Sequence, residues 1–261
     1  MLILLPPSEG KTPAAQGDPV DLDRLWRPEL SAARNRVLSK LVAMCKRSSA
    51  RSVADSLKVL GLSDGQRGEI ARNAELLEAP AAPAVEVYTG VLYEALDAGT
   101  LGDAARAWLF ESAVVFSGLW GVVRLGDRIP AYRCSVGVTL PAPVGGLTAY
   151  WKKGLAGFDP DGPVLDLRSG AYAAMWAAPA GSAALRVLHE RTVGGVTKRS
   201  VVSHFNKATK GRLVRALAVE GTQPENVDEL VTAMRDLKFT VEERPAAEGR
   251  PRQLDIVVAE L

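Results

Sequence analysis

Three side chains that can do chemistry lie together near the amino terminus, in the stretch Pro6–Thr12. Ser8 offers a hydroxyl, Glu9 a carboxylate and Lys11 an amine, groups that can bind an anion or move a proton. The stretch ends Gly-Lys-Thr like a phosphate-binding P-loop, but residue 5, where that motif requires Gly, is Leu5, and no helix start signal follows. Two interpretations stay open: an ordinary tight turn, or a stiffened loop that presents these side chains at the end of a strand.

A second candidate group is basic and lies between Arg186 and Arg215, a segment that contains eight Lys or Arg residues and one acidic residue. Within it, His204, Lys207 and Lys210 are spaced three apart in a predicted helix and share one broad face. This face is either solvated, as charged helix faces usually are, or an anion site for phosphate, carboxylate or nucleic-acid backbone.

A third group follows a predicted strand in the middle of the chain. Gly118 and Gly121 flank Leu-Trp, which indicates a close backbone approach or a positive φ. Arg124, Tyr132 and Arg133 follow within a few residues. The segment is either a strand and turn with an internal Arg–Asp pair, or a pocket wall where an arginine binds an anion and Tyr132 supplies a hydroxyl.

A further basic region, residues 24–72, holds eleven Lys or Arg against four acids and contains two predicted helices joined by a glycine-containing hairpin. Helix-hairpin-helix elements bind the DNA backbone, and Lys58, Gly61 and Arg67 would make the contacts here. An ordinary helical hairpin has the same pattern, so both interpretations stay open.

These groups need elements to position them, and apolar patterns predict helices and strands throughout the chain. The predicted strands are Leu2–Leu5, Ala113–Phe116, Val164–Leu167 and Val196–Ser203, with a closing hairpin of Leu237–Glu243 and Leu254–Ala259. The predicted helices are Leu30–Arg47, Ser52–Leu60, Gln66–Leu77 and His204–Val219. The mixture predicts an α+β or mixed α/β fold, with a central mixed sheet and flanking helices, in a single domain over residues 1–261. A helix-hairpin-helix-like segment lies within it at about residues 30–78.

The composition excludes several classes of protein. With 47% hydrophobic and 24% charged residues and a net charge of +2, the chain is typical of a globular protein and is not a polycation. No apolar stretch approaches the length of about 18 residues that a membrane span needs, and no secretory signal is visible, so we expect a cytoplasmic protein. Cys45 and Cys134 form no metal-ligand pattern, so we expect buried thiols and neither a metal nor a cofactor.

Several blocks of sequence, taken together and in order, resemble the YaaA family of peroxide stress response proteins. The blocks span nearly the whole chain. They are Leu2–Thr12, Tyr88–Gly90, Ser117–Gly121 continuing to Pro130–Arg133 and Gly137, Tyr150–Trp151, Leu165–Tyr172, and His204–Leu213. The chain departs from the family pattern in its Pro-Pro-Ser-Glu-Gly-Lys opening, at Leu125-Gly126 and at Arg168-Ser169-Gly170. These departures fall in the expected site, so the resemblance does not imply an identical ligand.

The resemblance implies a role in the response to hydrogen peroxide, in which family members restrain unincorporated iron and limit damage to DNA and proteins. It also implies a mixed α/β fold with a helix-hairpin-helix-like element, a positively charged cleft and affinity for DNA. Because some related domains act on modified nucleobases, an enzyme acting on a nucleobase- or nucleotide-like substrate is the alternative. A plain interaction protein with an incidental basic face is a third class, and the residues themselves predict no reaction.

The matching blocks place polar residues after short strands, and we hypothesise that these residues converge on one cleft. Lys11 and the arginines would bind an anion, and Glu9 would orient Lys11 or act as a general base. Besides these two candidate catalytic residues, the expected ligand-binding residues are Ser8, Arg124, Tyr132, Arg133, Ser169, Tyr172, His204, Lys207 and Lys210.

Overall fold

The computed structural model describes residues 1–193, 196–201, 203–244 and 248–259, with the backbone alone described for residues 193, 196 and 203–205. Within these ranges no helix is long and apolar enough to cross a membrane. The described residues form a mixed α/β fold around one mixed sheet, which confirms the predicted fold class.

The elements alternate along the chain. The strands are β1 (Leu2–Leu5), β2 (Ala82–Pro83), β3 (Ala113–Ser117), β4 (Gly121–Arg124), β5 (Arg128–Ile129), β6 (Thr139–Leu140), β7 (Gly145–Gly146), β8 (Val164–Asp166), β9 (Ala183–Val193), β10 (Val196–Ser200), β11 (Val241–Glu243) and β12 (Arg252–Ala259). The α-helices are α1 (Ser31–Cys45), α2 (Ala50–Leu60), α3 (Arg67–Ala74), α4 (Ala84–Val87), α5 (Val91–Leu96), α6 (Asp103–Ser112), α7 (Leu147–Gly154), α8 (Gly170–Ala173), α9 (Ser203–Glu220) and α10 (Val227–Asp236). Single 3₁₀ turns lie at Leu22–Arg24, Pro28–Leu30, Asp64–Gln66 and Ala98–Thr100.

The main sheet has eight strands in the order β11-β12-β9-β8-β1-β3-β4, and β10 pairs with β9 off this path. The five strands from β12 to β3 run parallel, and the outer pairings of β11 and β4 are antiparallel. Because parallel strands are covered by helices on both faces, they are apolar without alternation. This is why Leu-Ile-Leu-Leu and Ala-Val-Val-Phe are readable as strands, and every residue of β1 and β3 is buried.

Strand β1 lies between β3 and β8, with Ile3 opposite Ala113 on one side and Leu165 on the other. The carboxyl ends of these neighbouring parallel strands therefore meet at one edge of the sheet. Pro6 and the polar residues that follow it leave this edge beside Leu167 and Ser169, which follow β8. In open α/β sheets, ligands bind at this edge.

The predicted elements are found with shifted ends. Helix α3 is shorter than the predicted Gln66–Leu77, and β11 covers only the last part of the predicted Leu237–Glu243. Strands β11 and β12 do pair as a closing antiparallel ribbon, as expected. No strand was predicted at β2, β5, β6 or β7, which are two residues long each and pair as β2 with β5 and β6 with β7 outside the main sheet.

The two glycines that flank Leu-Trp show the predicted features, a close backbone approach at Gly118 and a positive φ at Gly121. A Cβ on Gly118 would lie 2.7 Å from the carbonyl oxygen of Cys134, so the chain around Cys134 can pack against the end of β3 only because residue 118 is glycine. Gly121 has a φ of +73°, and a Cβ there would meet the Trp151 ring at 2.7 Å. Gly118 thereby brings the segment that carries Arg133 to the same sheet edge.

Helix α9 is held close to α5 at Gly211. A Cβ built on Gly211 would lie 2.2 Å from the carbonyl oxygen of Leu92 and 2.9 Å from the Cβ of Ala95. Since the obstacle is backbone, it cannot be relieved by a side-chain rotation. The glycine therefore fixes where Lys207 and Lys210, on the same helix, stand relative to the sheet edge.

Replacing Gly211 by Ala should destabilise the protein although alanine is the better helix former. The gain in helix propensity is at most about 1 kcal/mol, whereas forcing a methyl group into a packed interface costs typically about 1–3 kcal/mol. The free energy of unfolding from urea denaturation measures the outcome. Gly68→Ala in α3 is the matched control, because a Cβ there meets nothing within 4 Å. A Gly211→Ala variant as stable as Gly68→Ala would show that the close helix contact does not exist.

Candidate functional site

A cleft of about 900 Å³ opens at the carboxyl edge of β1 and β8. Its walls are the loop after β1, the segment after β5, the loop after β8 and the first turns of α9. Ten of the residues predicted to bind ligand or DNA line it, namely Ser8, Glu9, Lys11, Gly61, Tyr132, Arg133, Ser169, Tyr172, Lys207 and Lys210. Arg124, Lys58 and Arg67 do not, and the side chain of His204 lies outside the part of the chain that the structure describes.

The loop after β1 is tied down by the Tyr88–Tyr93 segment. Tyr93 donates its hydroxyl hydrogen to the carbonyl of Pro6 at 2.8 Å, and the Thr89 amide donates to Ser8 Oγ at 3.1 Å. Lys11 forms an isolated antiparallel bridge with Tyr88. The loop is thus a tight turn that also presents its polar residues to the cleft, so the two interpretations of this stretch are compatible.

Lys11 places its amine against aromatic rings rather than beside a carboxylate. Its Nζ lies 4.2 Å from the ring centroid of Tyr132 and 5.4 Å from that of Tyr88. It donates to the carbonyl of Ser8 at 2.8 Å and to that of Glu9 at 3.5 Å. Burial, and then the nearby Arg133 charge, lower the pKa of Lys11 to about 7. The ring faces attract the cation and offset only part of that cost.

The carboxylate of Glu9 is directed to Arg133. Arg133 donates to Glu9 Oε2 at 2.8 Å, and this hydrogen bond together with the arginine charge lowers the pKa of Glu9. The expectation that the Glu9 carboxylate orients Lys11 is therefore wrong, since only its main-chain carbonyl contacts the amine. A lowered pKa also makes Glu9 a weaker general base than an ordinary glutamate.

Tyr132 presents its ring face to the Lys11 amine, whereas its hydroxyl is hydrogen-bonded inside the protein. The side chain is 1% exposed, and its Oη is within 2.6 Å of Ser117 Oγ and 2.9 Å of Tyr88 Oη. The expectation that Tyr132 offers a hydroxyl to a ligand is therefore wrong, because a buried chain of hydroxyls already occupies it. The ring face instead forms the floor under Lys11.

The loop after β8 is organised by Arg168, which the sequence did not single out as a ligand-site residue. Its guanidinium makes two hydrogen bonds to the Asp166 carboxylate, at 2.9 and 2.6 Å, and stands 4.1 Å from the Phe116 ring centroid. It also donates to the carbonyls of Tyr172 and Trp176. Because this pair is buried and internally satisfied, Arg168 positions Ser169 and Tyr172 on the cleft wall and does not offer a free charge.

The two lysines of α9 have different environments. Lys207 is exposed, whereas Lys210 is 8% exposed and donates to the carbonyl of Leu167 at 2.9 Å. Of the two interpretations of this helix face, a solvated surface is therefore wrong for Lys210. Burial lowers the pKa of Lys210 to about 8. Lys210 thus joins α9 to the end of β8, and Lys207 is the lysine of this helix that is available to a ligand.

Arg124 lies at the opposite edge of the sheet. Strand β4 runs antiparallel to β3, so Arg124 pairs with Val114 near the amino end of β3. Its guanidinium stands 5.1 Å from the Trp26 ring, and its main-chain amide donates to Asp127 Oδ2 at 2.9 Å. The expectation that Arg124 shares a cleft with Arg133 is wrong. The chain reverses direction between β3 and β4, and this carries Arg124 back to the amino end of β3.

The predicted helical hairpin adjoins the cleft, and three amides at its tip, those of Gly61, Leu62 and Ser63, already have acceptors within the protein. Gly61 is left-handed at φ 64°, and the amides of Gly61 and Leu62 donate back into α2. The Ser63 amide is taken by the Gln66 side chain, and Asp64 pairs with Arg67 at 3.0 Å. Gly61 reaches the cleft rim, while Lys58 is exposed beside it.

Other potential sites carry different chemistry. A second cleft of about 560 Å³, next to the Tyr88–Tyr93 segment, is lined by the acids Glu86, Glu94 and Asp97 with Arg106. Among the described residues, no three His, Cys, Asp or Glu side chains are grouped to hold a metal ion. Cys45 and Cys134 are both buried free thiols, as expected.

The pH dependence of stability tests the buried amine of Lys210. An unfolded lysine has a pKa near 10.4, so between about pH 8 and 10 the unfolded chain holds a proton that the folded protein has released. Stability must then rise with pH over this window, by at most about 1.4 kcal/mol per pH unit. The difference in free energy of unfolding between wild type and Lys210→Met should show this rise, with exposed Lys153→Met as the control for loss of a lysine. A difference that is flat across the window would mean that the amine is solvated.

Comparison with known proteins places the chain in one family. Residues 1–244 match the family model described as "Peroxide stress protein YaaA". The chain is 53% identical to a UPF0246 protein of Streptomyces coelicolor and 43% identical to one of Corynebacterium efficiens, with 99–100% of this chain and all of each relative covered. It is 26% identical to an uncharacterised Campylobacter jejuni protein, over 92% of this chain and 93% of that one. The chain therefore belongs to the YaaA family of peroxide stress proteins.

Proposed function

We propose that the protein acts in the cytoplasmic response to hydrogen peroxide by binding DNA through the cleft, and thereby limits iron-driven damage to it. The observation that carries the proposal is the charge of the cleft lining. Among the described residues of the lining, the basic members are Lys11, Arg133, Arg168, Arg186, Lys207 and Lys210, and the one carboxylate is that of Glu9.

Not all of these cations are available to a ligand. Arg168 is neutralised by Asp166, and Arg186 makes a salt bridge of 2.8 Å with the buried Asp255. Lys210 is buried and donates to the carbonyl of Leu167. Among the described residues of the lining, Lys11, Arg133 and Lys207 remain, together with the carboxylate of Glu9. This leaves an excess of positive charge in a concave site, where surrounding protein reduces screening and strengthens attraction for an anion.

The surroundings of the cleft favour a long anion such as DNA. Leu60 and Gly61, at the end of α2, line the cleft, and the exposed Lys58 lies one turn earlier in the same helix. A phosphate chain in the cleft would continue across this surface. Because the amides of Gly61, Leu62 and Ser63 are occupied, we expect side chains, above all that of Lys58, to make contacts to the phosphates here.

The alternative, an enzyme that acts on a nucleobase- or nucleotide-like substrate, is favoured by one specific observation. The amine of Lys11, with its pKa lowered to about 7, lies in a cleft large enough for a nucleotide. An amine of this kind has no evident use in backbone binding alone.

Replacing Lys207 by Gln should weaken DNA binding with almost no effect on folding. Loss of one charge-assisted hydrogen bond costs about 1.5–3 kcal/mol, which is roughly a 10- to 100-fold change in Kd. Loss of one phosphate contact should also reduce the slope of log Kd against log salt by about 0.9. Fluorescence anisotropy with a labelled duplex at several salt concentrations measures both quantities.

The control is Lys153→Gln, which removes an exposed lysine that does not line the cleft. It should bind DNA as the wild type does. Both variants should unfold within about 0.5 kcal/mol of wild type, as surface substitutions usually do. If Lys207→Gln keeps the wild-type affinity and salt slope, or if both variants lose equally, the cleft is not the DNA site.

A further inference from the structure

The Lys11 amine has the surroundings of a nucleophile rather than of a structural cation. Within the described residues, no carboxylate oxygen lies within 4.0 Å of its nitrogen, and the Glu9 carboxylate is committed to Arg133. Its hydrogen-bond acceptors are the two carbonyls of Ser8 and Glu9. A neutral amine has two hydrogens to donate, so these two acceptors satisfy it and leave its lone pair uncommitted.

We propose that Lys11 forms an imine with the aldehyde of a phosphorylated sugar bound in the cleft. The inference deepens the proposed function and rests on it, because the cleft must be where the phosphate-bearing ligand lies. Such an aldehyde occurs in DNA at a sugar that has lost its base, and also in free sugar phosphates. The shared chemistry is a carbonyl carbon held next to a phosphate.

The neighbouring residues support this role. Arg133, on the segment after β5, and Lys207, on α9, line the same cleft as Lys11, so either can bind a phosphate while the sugar approaches the amine. The floor under the amine is the face of Tyr132, and the Tyr88 ring lies beside it. The rings exclude water from the amine, and this desolvation favours its neutral form by more than the attraction of the ring faces favours the cation. Desolvation in an apolar pocket is one way in which lysine nucleophiles are activated.

The protonation of Lys11 is consistent with the geometry. Burial is the main cause that lowers its pKa to about 7, and the Arg133 charge acts in the same direction. Cys134, Glu69 and Glu9 act in the opposite direction and are outweighed. A far larger share of this amine is therefore neutral near pH 7 than in an ordinary lysine, which has a pKa near 10.4 and is almost wholly charged.

The reaction is a condensation and needs no oxidant or reductant. The nitrogen lone pair attacks the carbonyl carbon, a C–N bond forms, and the carbonyl oxygen takes up a proton. The resulting carbinolamine loses its hydroxyl group as water when the nitrogen gives up a proton, which leaves a C=N bond. Amine and aldehyde are thus converted to imine and one water, and the product can be reduced chemically to a stable secondary amine.

Borohydride trapping with the full chain tests the proposal. The protein is incubated at pH 7.5 with a duplex containing one abasic site, and separately with glyceraldehyde 3-phosphate, each in the presence of cyanoborohydride. Peptide mass spectrometry then locates the adduct. We expect the adduct on Lys11, its loss in Lys11→Met and Lys11→Arg, and its retention in Lys153→Met. Binding of an intact duplex is measured in parallel by anisotropy.

The outcomes separate the proposal from the function on which it rests. An adduct on Lys11 with either probe supports the inference, and the probe that reacts identifies the source of the aldehyde. Intact DNA binding with no adduct, or with an adduct on another lysine, overturns the inference and leaves the proposed function standing. An adduct on Lys11 with the sugar phosphate but no DNA binding supports the inference and overturns the DNA function. Because the wild-type protein alone gives the location of the adduct, a variant that fails to fold does not remove the test.

Discussion

The pairing of β1 with β3 on one side and β8 on the other holds the candidate site together, because it aligns three carboxyl strand ends at one sheet edge. All four residues of β1 are buried. Strand β1 is only four residues long, so the chain must turn immediately after Leu5, and the double proline makes that turn stiff. Loops placed by a rigid sheet can hold polar groups at fixed positions, which a freely moving surface loop cannot do.

Buried cations then fix the loops around this edge. Arg168 donates to the carbonyls of Tyr172 and Trp176 after β8, and Lys210 donates to that of Leu167 from the facing helix. Arg34 does the same at the other side of the core, where its guanidinium donates to the carbonyls of Trp26, Trp120 and Val122. Each of these cations thus donates hydrogen bonds to main-chain carbonyls, and a buried carbonyl left without a partner costs free energy comparable to a lost hydrogen bond.

The sequence predicts the central strands and the tight glycine turns, but not which elements cover a charged side chain. The strands β1, β3 and β8 were predictable because continuous apolar runs bounded by turn residues have few other interpretations. Gly118 and Gly121 were predictable because glycine pairs after a strand indicate tight backbone geometry. Lys210 was misjudged because spacing along a helix places a residue on a face but does not reveal whether another element covers that face. The prediction for Arg124 is wrong because residues that are close in sequence can lie at opposite ends of an antiparallel strand pair, as Ser117 and Arg124 do in β3 and β4.

The cations of the cleft differ in whether a partner within the protein already binds them. Arg168 and Lys210 have protein partners that account for their position, so their removal would be felt first in the fold. Lys207 is exposed and Arg133 shares its charge with a single exposed carboxylate, so both can turn to a phosphate at small cost. Lys11 fits neither group, since its amine is costly to bury and has no ion-pair partner within the described residues. A strongly shifted lysine pKa in a cleft is a common feature of groups that act chemically. On the imine proposal, the opening loop that carries Lys11, rather than the basic helix α9, is the chemical centre of the cleft.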